Sequence, residues 1–309
     1  MARIGYYLFV YPLSKLPLSI LYLFSSFLAF LLIHVFPYRK KVILKNIQNS
    51  FPDSTPKEHL EILTKFYKHF TDLLVEGVKN LSISKEELTK RMIVKNPELM
   101  QKLFDQGKNV ILVSGHYNNW EWLISAQNFL FPHKAFGIGM PMTSKFWDQK
   151  VNEQRERFGM KVVHSKNYKV AFETFQEKPI AVLNLSDQAP HNPEKSYWMS
   201  FLNQQTPIPF GSEFMANEYN FSVVFFAIQK INRGYYKIEL KLITDNPKEL
   251  KFGEISDAFT QLLEKEINEN PEFWLWSHKR WKRAVPNNLN ELKIQQEKRF
   301  NQRFRHTSI

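Results

Sequence analysis

The stretch Val110-Ile-Leu-Val-Ser-Gly-His-Tyr-Asn-Asn-Trp-Glu-Trp122 constrains this chain more than any other. Val110 to Val113 is a short uncharged run rich in β-branched residues, closed by Gly115, and it reads as a buried strand. Trp120, Leu123, Ile124 and Phe129 then recur at helical spacing, so a strand hands over to a helix across Ser114-Gly115. His116 and Glu121 fall in that handover, a common place for ligands and reacting groups in α/β domains. On one continuous helix, residues five apart point about 140° away from each other. The two side chains therefore meet only with His116 in the turn and Glu121 in the first helical turn. Asn118 as N-cap gives that arrangement, with Glu121 at the third helical position. The carboxylate then takes one imidazole nitrogen and leaves the other free as a base. Glu121 as a capping-box glutamate, bonded to the Asn118 backbone, fits the same residues. Nine histidines make about one His-x4-acid spacing expected by chance, so the context has to decide.

That context is a strand–helix alternation. Ala135 to Gly139, Lys161 to His164 and Pro179 to Leu185 read as strands, separated by helical stretches from Lys145 to Phe158 and Asn167 to Glu177. Ser222 to Gln229 and Tyr235 to Ile243 read as a hairpin, and Ile255 to Asn268 as an amphipathic helix. The fold class is α/β, with a mostly parallel sheet flanked by helices. Upstream, residues 42 to 80 read as helix, with Pro56, Glu58 and Glu61 at a start and an apolar stripe from Leu60 to Leu74. Asp187 and Gln188 follow the strand ending at Leu185, placed either for ligand contact or in an ordinary turn before Pro190. Pro271 to Trp281 carries three tryptophans beside His278, Lys279 and Arg280. It suits phosphate, nucleic acid, a membrane interface, or plain aromatic packing. After Pro286 the chain is polar and basic, and a frayed, solvated helix is expected.

From Leu16 to Tyr38 there is no Lys, Arg, Asp or Glu, a length that suits a spanning helix. Too long for a signal-peptide core, it also ends in Phe36-Pro37-Tyr38-Arg39, which is no small-residue cleavage site. Ser14, Ser19, Ser25 and Ser26 leave a deep interfacial helix as the alternative. Arg39, Lys40, Lys41 and Lys45 follow the run while Arg3 and Lys15 precede it, which puts the bulk of the chain on the cytoplasmic side. A net charge of +12 points to an anionic partner. With no cysteine, thiol catalysis and cysteine-held zinc are excluded. No GxGxxG or GxxxxGK[ST] loop occurs, which argues against a nucleotide cradle.

Taken together, these segments resemble the bacterial lipid A biosynthesis acyltransferases, the late (secondary) lauroyl or myristoyl transferase family. The resemblance rests on Leu16-Pro-Leu18 with the apolar run, Asn46-Ile-Gln-Asn-Ser-Phe-Pro52, and Gly115-His-Tyr-Asn-Asn-Trp-Glu121. It continues through Arg155, Asp187-Gln188, Pro209-Phe-Gly211 and Pro271-Glu-Phe-Trp-Leu-Trp-Ser-His-Lys-Arg280. It implies a glycerolipid-acyltransferase-like α/β domain over residues 41–286, an N-terminal membrane anchor over 1–40, and a basic polar tail over 287–309. It further implies transfer of a fatty acyl chain from acyl carrier protein, or acyl-CoA, to a hydroxyl of a lipid A precursor. His116 would act as general base oriented by Glu121. Arg155, Asp187, Gln188 and Asn119 would position substrate, and His278 and Arg280 would bind a headgroup phosphate or close the site. The resemblance implies no metal and no cofactor, and a place at the bacterial inner membrane with the catalytic domain facing the cytoplasm. A Phe-Pro-Glu-Gly-like phosphate loop is replaced here by Leu185-Ser-Asp-Gln188, which argues against glycerol-3-phosphate as acceptor. Two other readings stay open: the same chemistry on another lipid acceptor, such as an amino-acid lipid or glycolipid, and a membrane-tethered nucleic-acid binder using Trp274, Trp276 and Trp281.

Overall fold

The computed structural model describes residues 2–174 and 179–305. Its N-terminal part is helical: α1 (Ala2–Gly5), a π-helical turn Tyr6–Val10, α2 (Tyr11–Ser14), α3 (Leu18–His34), α4 (Lys40–Ser50) and α5 (Pro56–Lys79). The expected continuous spanning helix does not form. The chain bends by 118° between Ala2–Ser14 and Leu18–His34, and among the described residues no single helix is long and apolar enough to cross a membrane. Pro17, which fixes its own φ, sits at the break as N-cap of α3. At 17 residues α3 spans about 25 Å, short of the roughly 30 Å hydrocarbon layer. Leu18, Leu21, Ser25 and Ala29 of α3 are buried, and the helix is tied to α5. Ser25 Oγ donates to Asp72 (2.6 Å) and Tyr22 Oη to Glu76 (2.6 Å). Its other side leaves Leu23, Phe24, Phe27 and Phe30 exposed.

The helix read over 42–80 is two helices, because Phe51-Pro-Asp-Ser-Thr55 interrupts it. Thr55 and Glu58 restart it as a capping box with Pro56 in the first turn. Next come α6 (Lys85–Arg91) and α7 (Glu98–Asp105), then α8 (Trp120–Leu130), α9 (Lys145–Glu156), α10 (Tyr168–Thr174), α11 (Gly211–Tyr219), α12 (Glu254–Glu269) and α13 (Leu289–Phe304). The end of the helix read to Glu177 lies outside the described residues.

The strands are β1 (Met92–Val94), β2 (Val110–Ser114), β3 (Lys134–Gly139), β4 (Lys161–His164), β5 (Ile180–Leu185), β6 (Tyr197–Phe201), β7 (Gln204–Ile208), β8 (Ser222–Asn232) and β9 (Tyr235–Thr244). Seven of them form one sheet in the order β1-β9-β8-β2-β5-β3-β4. All its pairings are parallel except β8 with β9. β2 lies at its centre, buried along its whole length, which is why Val110 to Val113 are all apolar rather than alternating. Alternate residues still feed two different cores. Ile111, Val113, Val182 and Phe225 pack with Met215, Phe259 and Leu263 on one face. Val110, Leu112, Leu183 and Phe226 pack with Leu88, Met100, Trp122 and Leu123 on the other.

β6 and β7 form a separate antiparallel hairpin. Its two-residue turn places Leu202 (φ 48°) and Asn203 (φ 63°) in the left-handed region, a turn usually announced by Asn-Gly. The C-terminal stretch also differs from expectation. Helix α13 is docked rather than solvated, because Phe300 and Phe304 recur on one side of it. Phe300 is buried against Phe210 and Phe252, and Arg305 donates to Asn217 Oδ1 (2.9 Å) and to the Leu250 carbonyl.

Candidate active site

The parallel register sets Ser114 at the end of β2 beside Leu185 at the end of β5. Each strand then leaves the sheet on the same edge, bringing His116 and Asp187 together from 71 positions apart. Gly115 is what permits the contact. A β-carbon there would lie 2.6 Å from Leu263 Cδ2 and 2.9 Å from Asp187 Oδ2. His116 Nδ1 is 2.6 Å from Asp187 Oδ1, and the His116 main-chain N–H donates to Oδ2 at 2.9 Å. The Trp274 indole also donates to Oδ2, at 2.8 Å. Asp187 is only 3% exposed. Burial pushes its carboxyl up, but the facing His116 and the three donated hydrogen bonds outweigh this and bring it down to about 2. A carboxylate at Nδ1 fixes the tautomer in which Nε2 is the unprotonated nitrogen. That nitrogen lies 3.2 Å from the Gln188 side-chain amide, and the ring packs edge-on against Trp120 at 5.0 Å.

His116 lies in the turn, as expected, but its carboxylate partner is Asp187 and not Glu121. Glu121 instead holds Arg155 through two hydrogen bonds, Arg155 Nη2 to Oε1 at 2.5 Å and Nε to Oε2 at 3.2 Å. The capping explains the difference. Asn118 is not the N-cap; it sits in the left-handed region (φ 53°) and donates to the Ile228 carbonyl at 2.6 Å. Asn119 caps α8 by accepting from Trp122 N (2.9 Å), so Glu121 is the second helical residue rather than the third. A one-residue shift in the cap turns each later side chain by about 100° relative to the expected frame.

His116, Arg155 and Gln188 line one cavity of ≈ 250 Å³, with Ile124, Met140 and Leu183 among its apolar walls. A second cavity of ≈ 460 Å³ shares Ile138, Met140, Asn184 and Leu185 with the first and extends to Phe210, Phe214 and Met215. Asn119 faces neither; it is buried and donates to Glu76 Oε2 at 2.6 Å. His278 Nε2 accepts from the Ala189 main chain at 3.2 Å, bracing the loop after Gln188, and burial pushes its imidazole down to about 4. Arg280 is corrected from headgroup binder to internal tie. It is 0% exposed and donates to Thr206 Oγ1 (2.6 Å) and the Pro207 carbonyl (2.9 Å) of β7. Trp274 and Trp276 are buried with their indole N–H groups engaged, so neither offers the open ring face a stacked nucleobase needs. The sequence reading missed two contributors, Trp274 as a donor to Asp187 and Glu76. A glutamate three residues after Leu73 on the apolar stripe of α5 was the available signal for the second.

Fold and site thus define an α/β protein with a His–Asp pair at the carboxyl edge of a mostly parallel sheet, opening on a partly apolar cleft. The family model for bacterial lipid A biosynthesis acyltransferases matches residues 4–283, and the chain belongs to that family. No curated protein matches the chain.

Proposed function

We propose that the protein moves a fatty acyl chain from an acyl carrier protein thioester, or acyl-CoA, to a hydroxyl of a lipid A precursor, with His116 as general base. The observation that carries this reading is the buried Asp187 carboxylate at His116 Nδ1, with Nε2 left at a cleft beside a larger apolar cavity. In the proposed step, the acceptor hydroxyl takes the place of the Gln188 amide at Nε2. Nε2 removes its proton as the oxygen attacks the thioester carbonyl, forming a tetrahedral oxyanion. Collapse of that oxyanion breaks the carbon–sulfur bond, and the departing thiolate takes the proton back from Nε2. Asp187 supports the transient imidazolium without itself taking the proton.

Arg155, aimed by Glu121, is the cation proposed to face the oxyanion or an acceptor phosphate. Glu121 therefore acts through Arg155 in this reading. The acyl chain is assigned to the ≈ 460 Å³ cavity lined by Phe210, Phe214 and Met215. The net charge of +12 favours an acidic carrier protein and a phosphorylated acceptor. Membrane association is proposed through the exposed apolar side of α1 to α3, lying in the interface rather than crossing it, with Lys40, Lys41 and Lys45 toward anionic headgroups. This corresponds to the cytoplasmic leaflet of the bacterial inner membrane. The test is transfer from a defined acyl carrier protein donor to a purified lipid A precursor, read by mass spectrometry. One added acyl chain is expected; an unmodified precursor with every donor chain length contradicts the assignment.

A further inference from the structure

Glu76 is a carboxylate that the acyl-transfer step does not use, yet it is fully buried in α5. Removing a carboxylate from water is costly unless donors replace the water, so its partners are informative. Three donors from three separate elements meet on it. Tyr22 Oη of α3 donates to Oε1 at 2.6 Å, while Asn119 Nδ2 at the start of α8 and Tyr236 Oη of β9 donate to Oε2 at 2.6 Å and 2.7 Å. The main chain of the same residue adds a fourth tie, accepting from the Trp122 indole at 3.0 Å.

Asn119 is the hinge point of this arrangement. Its Oδ1 caps α8 while its Nδ2 is held by Glu76, and it lies three residues after His116 and two before Glu121. Any movement of Glu76 is therefore passed to both groups at once. Upstream, the Tyr22 hydroxyl is wedged against Gly234 in the β8–β9 turn, where a β-carbon would collide with it. The Arg233 guanidinium covers the Tyr22 ring at 4.4 Å and donates to the Tyr22 carbonyl at 3.1 Å. The phenol is thus fixed from both sides.

We propose that Glu76 and Tyr22 are positioning residues that tie the seating of the N-terminal apolar helix α3 to the placement of the His116–Glu121 segment. The inference rests on the acyl-transfer reading of that segment. It makes the exposed apolar layer and the catalytic edge one mechanical unit, so that only a chain with α3 seated holds His116 and Arg155 in register. The relay is short: one phenol, one carboxylate and one amide.

The test compares Tyr22→Phe and Glu76→Gln with Tyr67→Phe in the full chain. Tyr67 is a buried phenol of α5 that donates to the Tyr38 carbonyl at 2.8 Å, away from the relay. Two readouts are taken: kcat and KM for acyl transfer, and the His116 ring resonance, identified by its loss in His116→Gln and sensitive to the Trp120 ring 5.0 Å away. Tyr22→Phe is expected to lower kcat about tenfold with KM little changed, and to move the resonance, since small misplacements of reacting groups cost that much or more. Tyr67→Phe is expected to do neither. Should Glu76→Gln fail to fold, Tyr22→Phe, which removes one oxygen and no packing, decides alone. A wild-type kcat or an unmoved resonance in Tyr22→Phe overturns the proposal. If the wild-type protein acylates no lipid A precursor, the functional reading fails, and the resonance by itself decides the relay.

Discussion

Asp187 carries the sharpest energetic consequence of any single residue in the site. Its carboxyl is held at about 2 against an ordinary value of 3.8, so the unfolded chain binds a proton more readily than the folded one between those values. Stability therefore rises with pH across that window. The contribution is fully present above pH 3.8 and is lost as pH falls through about 2. Urea denaturation of the wild type and Asp187→Asn between pH 2 and pH 5 is expected to show this acid loss in the wild type alone. Parallel curves for the two proteins contradict the His116–Asp187 contact. The same residue marks the limit of what was legible in the sequence. His116 and the strand end were readable because β2 is a short apolar run and Gly115 stops it. The identity of the carboxylate was not. It depends on β5 lying directly beside β2 in the sheet, a lateral neighbour 71 residues away. The nearer Glu121 had the spacing but lost its place to a cap formed at Asn119.

Among the elements, the strands were readable wherever burial on both faces imposed an apolar run, as in Val110 to Val113 of β2 and Ile180 to Leu183 of β5. Elements defined by a partner were not. The β6–β7 hairpin turns on Leu202-Asn203, an unusual pair for two left-handed residues. β1 is three residues long and exists by pairing with β9. The uncharged run from Leu16 to Tyr38 suits a span, and its serines leave an interfacial helix as the alternative; what the run does not announce is that Ser25 bonds α3 to Asp72 of α5. Helix α13 lies beyond the part of the chain that matches the family, and its polar composition masked two docking phenylalanines. Phe300→Ala is expected to destabilise the protein by about 3 kcal/mol, the usual cost of deleting a buried phenyl ring. Equilibrium denaturation checks this, and a change under about 0.5 kcal/mol, the range of an exposed site, returns α13 to the status of a solvated tail.

On the scale of the whole molecule, one side carries Leu23, Phe24, Phe27, Phe30 and Phe36 in the open. Lys40, Lys41 and Lys45 follow immediately, also exposed. Exposed apolar surface on this scale marks an interaction face. Replacing the three lysines by alanine is expected to weaken binding to anionic vesicles about 100-fold at low salt, at about 1 kcal/mol per lysine. Vesicle sedimentation measures this, and equal partition of variant and wild type contradicts the proposed orientation.

The most direct test of the central claim, a His116 base held by Asp187 in an acyltransferase, is the single-turnover rate of acyl transfer to a lipid A precursor. It is compared between wild type and Asp187→Asn, with folding verified by circular dichroism. The wild type is predicted to add one acyl chain, and the folded Asp187→Asn protein to do so at least about 100-fold more slowly, the lower bound for lost general-base catalysis. An Asp187→Asn protein that transfers at the wild-type rate contradicts the claim.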